Sequence, residues 1–137
     1  MIVLSIAGLM LILVFEAIPA LMLNSRNTQR KQDVATILQD ISHYELNHSA
    51  VFPMLPSDVA AAKELSYYTF SQIRFYAQAA PAGFSNTNIN GVYVYNFSKC
   101  DPNNPGRASR VGADSFDIVA LYGIETAGGS SGACEQL

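Results

Sequence analysis

Hydrophobic and polar positions split the chain into two parts of different character. Along residues 1–23 only Ser5 and Glu16 are clearly polar, so apolarity there is continuous rather than periodic. As a helix rising ~1.5 Å per residue, that run extends roughly 35 Å, enough to cross a hydrocarbon layer of ~30 Å with modest tilt. A secretory signal would have a shorter apolar region, a basic start and a small-residue cleavage site, so the segment reads as a retained membrane helix. Beyond it the pattern becomes periodic without a linker. Residues 24–49 contain no Gly or Pro, and Val34, Ile37, Ile41, Tyr44 and His48 recur at spacings of three and four, with Leu38 broadening the stripe. That is an amphipathic helix, expected to stop before Phe52-Pro53. One helix reaching residue 49 is therefore predicted, oily all round in its first half and on one face in its second.

The rest of the chain reads as a small head. Residues 50–90 form an irregular connection, in which Ser57-Asp58 caps a short helix through about Leu65. Two strands follow. "GVYVYNF" (residues 91–97) alternates Val92 and Val94 against Tyr93, Tyr95 and Phe97, and "SFDIVALYGIE" (residues 115–125) places Phe116, Ile118, Ala120 and Tyr122 on one face. "DPNNPGRASRVGAD" between them is turn-rich, and the tail "TAGGSSGACEQL" reads as flexible except at Cys134. The fold class is α+β: a long amino-terminal helix whose hydrophobic half (residues 1–23) projects, and a head (residues 24–137) in which the amphipathic half packs on a small antiparallel sheet. No internal repeat is visible.

Charge and cysteines refine this picture. The net charge of −3 offers no large basic surface, so bulk nucleic-acid binding is not expected. Arg26, Arg30 and Lys31 follow the span, which the positive-inside tendency would place in the cytoplasm. Cys100 and Cys134, the two cysteines, suggest one disulfide in an oxidising compartment instead. The conflict disappears if a basic leader once preceded Met1 and has been removed, which is the expectation adopted.

The run "VLSIAGLMLILVFEAIPALMLNSRNTQRKQDVATILQDISHYELN", with interior Gly8 and Pro19, together with the Cys100 and Cys134 pair framing the last strand and tail, resembles a type IV pilin. The stretch "SRNTQRKQD" followed by a helix and "FP" is similar to divergent pilins of ultrasmall, host-attached bacteria. The resemblance implies the pilin fold with a carboxyl-terminal disulfide loop. It also implies a precursor held in inner-membrane lipid, cleaved by a prepilin peptidase and methylated at its new amino terminus. Pilus assembly machinery would then stack it into a helical homo-oligomeric filament at the cell surface. Implied uses are adhesion, including to a host-cell surface, twitching motility and DNA uptake. Gly8 and Pro19 match the family's interior glycine and proline, between which the helix melts or kinks in the filament, although their separation here is wider.

Two departures stand out. The family carries a glutamate at the fifth mature position, where this chain has Ser5, which points to residues preceding Met1 or to a subunit lacking that carboxylate. Glu16 does not match it. A charge in mid-bilayer costs a few kcal/mol and usually faces a partner. The hypothesis is that Glu16 meets Arg26 or Arg30 of another subunit, with Lys31 a further charge partner, or is protonated in the filament interior; the alternative is that it reaches the interface and binds water.

Other chemistry is weaker. His43 and His48, five residues apart around Glu45, fall ~140° apart on a helix and do not make a zincin pair. "DPNNPG" (residues 101–106) with Asp114 offers oxygens for calcium but lacks the EF-hand arrangement, and turn chemistry accounts for it. "NHS" at Asn47 and "NFS" at Asn96 match the N-glycosylation pattern. Aromatic residues between Tyr67 and Phe84 read as core beneath a loop rather than as an adhesive surface. With no nucleophile–base pair or phosphate loop, neither an enzyme nor a cofactor is expected. Rival readings are a minor pilin or secretion pseudopilin, and a single-span anchored binding domain that never polymerises.

Overall fold

The computed structural model describes residues 2–59, 70–111 and 117–137, apart from the side chains of Ile2, Glu16 and Pro56. Helix α1 runs from Ile2–Asn47 without interruption, through Pro19. It stops two residues short of the expected end, because Ser49 and Ala50 adopt left-handed φ of 57° and 61°. The Ala50 N–H then donates to the Glu45 carbonyl at 2.8 Å, closing the last turn before Pro53.

The head is built on a four-stranded sheet in the order β1-β2-β5-β6, from Gln72–Tyr76 (β1), Gly91–Asn96 (β2), Ile118–Thr126 (β5) and Gly129–Gln136 (β6). A separate two-stranded ribbon joins Ser98–Cys100 (β3) to Ala108–Arg110 (β4). The β2–β5 and β5–β6 pairs are antiparallel, whereas β1 lies parallel to β2, with Ile73 opposite Val92 and Phe75 opposite Val94. The α+β class is as expected.

Two local expectations are corrected. Residues 50–90, read as irregular, contain β1; its five residues alternate between outside and core but sit in a sequence crowded with aromatics and turns. The tail is not flexible. Its Gly and Ser residues form β6, paired with β5 from Val119↔Gln136 to Thr126↔Gly129. Backbone pairing and a close approach hold it, not side-chain burial: a Cβ on Gly106, at φ +85°, would lie 2.1 Å from the Gly132 carbonyl oxygen. The helix expected after Ser57-Asp58 is a single turn, Pro56–Asp58, and its continuation lies outside the described residues. Tyr67, Asp114 and Phe116 also lie outside them.

Strand periodicity puts apolar groups on both faces of the sheet. Facing α1, Val92, Val94, Ile118, Ala120 and Tyr122 pack with Ile73, Phe75, Phe70 and Phe52 against Val34, Ile37, Leu38 and Ile41 of the helix. The stripe fades at its end, where His48 is exposed and stacks on Tyr44 with centroids 4.0 Å apart. On the opposite face Tyr95, Val119 and Leu121 pack with Ala80 and Ala108, flanked by Tyr76, Phe84 and Tyr93. The described aromatics of the 67–84 stretch thus belong to the two cores. Each fully buried aliphatic or aromatic side chain contributes about 1.5–3 kcal/mol.

Candidate assembly surface

Among the described residues, the large apolar side chains in the amino-terminal half of α1 are exposed. Val3 is 78% exposed, Leu13 65%, Phe15 71% and Leu21 66%, and no part of the most apolar stretch is buried. These positions lie around the whole circumference, unlike the one-sided stripe that follows. Gly8 faces open space, so the close approach it permits is not used among the described residues. Pro19 is accommodated inside the helix. Glu16 occupies the same bare half, and its side chain lies outside the description.

Attachment to the head begins within two turns of the last bare residues. Asn27 pairs with the backbone of Glu125 in both directions: its amide donates to the Glu125 carbonyl at 2.8 Å, and its oxygen accepts the Glu125 N–H at 2.9 Å. The Glu125 carboxylate accepts from the Arg30 guanidinium at 2.6 Å and from Arg26 at 3.3 Å. Arg30's hydrogen bond is the main cause that holds the Glu125 carboxyl below its ordinary range. Lys31 stands 3.8 Å from Glu135 on β6. The basic cluster expected to serve neighbouring subunits is therefore tied to its own head. Arg30 in particular is 8% exposed and occupied by Glu125, while Arg26 stays 62% exposed. This latch was not anticipated. The signal for it was a lone acid at the end of an apolar strand, on a chain whose helix carries three bases in six residues.

Cys100 and Cys134 form the expected disulfide, closing a sequence separation of 34 between β3 and β6. The chain-entropy estimate for such a loop is about 4 kcal/mol. The glycosylation pair separates. Asn47 is exposed at the helix end, whereas Asn96 is 6% exposed and Ser98 fully buried. Asn96 accepts the Phe97 N–H at 2.8 Å, and Ser98 accepts the Ala80 N–H at 2.8 Å, so the second pattern is structural. Asp101 binds the Asn103 N–H and the Asn104 amide, each at 2.9 Å, which is turn chemistry. Among the described residues no group of three metal-ligating side chains converges. His43 is exposed, and Glu45 borders a hollow of 450 Å³ with Ser42, Leu46 and Ala50, where burial raises its carboxyl pKa.

No family model, no curated protein and no solved structure matches this chain. The long apolar amino-terminal helix and the carboxyl-terminal disulfide are compatible with a pilin, and the helix with a membrane anchor or a signal sequence.

Proposed function

We propose that this protein is a structural subunit of a type IV pilus, held in the inner membrane before assembly and polymerised through residues 1–23 into a surface filament for adhesion and twitching motility. One observation carries the reading: a single unbroken helix is bare over its apolar half and, with no linker, bolted to a folded head over its other half. About 1.5–3 kcal/mol for each large apolar side chain disfavours exposing that half to water. Lipid satisfies it before extraction and copies of the same segment satisfy it afterwards. The rigid join means that force on the head is passed directly to the buried half.

Gly8 and Pro19 are the places where this helix would yield in the filament, Pro19 because it lacks a backbone donor. Glu16 would lie in the filament core near a cation of another subunit, and Arg26 suits that role better than Arg30 because its guanidinium remains largely exposed. Undiminished piliation by Glu16→Gln would sink that pairing. Assembly machinery and a prepilin peptidase are the partners this reading requires.

The test is electron microscopy and mass spectrometry of filaments sheared from cells that make the protein. A major pilin dominates the sheared fraction and carries an N-methylated amino terminus. Trace amounts would favour the minor-pilin or pseudopilin reading. A protein recovered only from membranes, with no filaments, would favour the anchored binding domain and reject polymerisation.

A further inference from the structure

Where the chain leaves β1, three hollows border one side chain, Gln78. One of 380 Å³ lies against Met54 and Tyr76. The other two, of 250 and 390 Å³, share Ala79 and Arg110 as well as Gln78. The 250 Å³ hollow is also walled by Phe97, the single residue between β2 and β3, whose φ of +54° is a conformation bulky residues rarely adopt.

Buried polar groups hold this corner in place. Asn96 Oδ1 accepts the Phe97 N–H at 2.8 Å, and the Phe97 carbonyl accepts the Val111 N–H at 3.2 Å. Ser98 Oγ accepts the Ala80 N–H at 2.8 Å and donates to the Asn96 carbonyl at 3.3 Å. These bonds join the three chain segments that wall the two hollows: residues 77–82, 96–98 and 110–111. The shape is therefore set before anything binds. Arg110 is exposed on the rim, and its guanidinium has no ion pair among the described residues.

We propose that Arg110, Gln78 and the Phe97 corner form a binding site for a carboxylate-bearing molecule of about one sugar ring. A guanidinium offers a planar fork that matches a carboxylate with two parallel hydrogen bonds. The Gln78 amide supplies both a donor and an acceptor, as vicinal hydroxyls require. The 390 Å³ hollow falls at the low end of the ~300–1,000 Å³ of small-molecule clefts and the 250 Å³ one just below it, which suits a monosaccharide acid and is too small for a macromolecule. With one cation at the rim, a singly charged carboxylate is matched where a phosphate dianion is not. This assignment does not depend on the chain forming filaments.

The experiment is titration of the isotope-labelled full chain in detergent micelles with glucuronate, acetate and glucose, following the amide and side-chain signals of Gln78 and Arg110. Glucuronate should shift both signals saturably and glucose should not. Arg110→Gln should weaken glucuronate at least about tenfold with thermal unfolding unchanged, and Arg110→Lys should fall between, having lost the fork. Gln78→Ala provides a second, exposed variant and should weaken glucuronate while sparing acetate. Acetate binding as tightly as glucuronate would overturn the sugar-ring assignment and leave only a site for small carboxylates at Arg110. No saturable shift with either acid, or a glucuronate shift that survives Arg110→Gln, would overturn the proposal.

Discussion

The same side-chain truncation, made at two places on α1, tests the proposed division of work along this helix. Ile37 is fully buried among Val34, Ile41 and the sheet, whereas Leu13 is 65% exposed. Ile37→Ala removes buried methylenes and leaves a cavity, a loss of about 2–5 kcal/mol in the stability of the head. At a urea dependence of ~1–3 kcal/mol per molar, the unfolding midpoint should fall by at least about 0.7 M. Leu13→Ala should leave that midpoint unchanged, within about 0.5 kcal/mol, because no folded contact is lost. In a filament of the proposed kind the order should reverse. If Leu13 is buried there against a neighbouring helix, three lost carbons remove about 2 kcal/mol per subunit, equivalent to roughly 30-fold in the concentration needed for assembly. The assay pairs urea unfolding of the full chain in detergent, followed by tyrosine fluorescence, with sedimentation of assembled filaments over a concentration series. Equal loss of head stability from both variants would refute the division of the helix. A Leu13→Ala protein that assembles as readily as the parent would refute burial of the bare half between subunits.

Three further outcomes follow from the head. Replacing Cys100 and Cys134 by serine should lower head stability by about 4 kcal/mol, read as a fall in the urea midpoint that dithiothreitol reproduces in the parent protein. Arg30 holds the Glu125 carboxyl below its ordinary 4.5, so the stabilisation from that group is complete above this value and is lost as pH falls through the depressed folded pKa. Thermal unfolding of the parent should therefore drop more steeply below pH 4.5 than that of Glu125→Gln, and parallel curves would contradict the latch. Peptide mapping of protein from a glycosylating host should find Asn96 unmodified, because it is buried in the folded chain; a glycan on Asn96 would mean that modification precedes folding or that the corner opens.

How much was legible in the chain depended on whether the signal was local. Continuous apolarity over residues 1–23 and the three-and-four spacing of Val34, Ile37 and Ile41 determined the helix, its two environments and its core face, because helical period and burial are properties of neighbours in sequence. Alternation in residues 91–97 and 118–122 likewise settled which side chains of β2 and β5 face the helix. The even cysteine count announced the bridge.

Tertiary structure alone decided the rest. A parallel partner for β2 comes from a strand whose pairing depends on a chain nearly twenty residues away. The Gly- and Ser-rich β6 has little side-chain signal at all; its order comes from backbone hydrogen bonds to β5, from the disulfide and from the close passage of Gly106 over Gly132. Arg30 and Glu125 lie 95 positions apart, and nothing in the local pattern of either residue says that they meet. For the same reason Asn47 and Asn96 carry the same motif and have opposite fates: a tripeptide records residue types, and only the folded chain determines which asparagine water reaches.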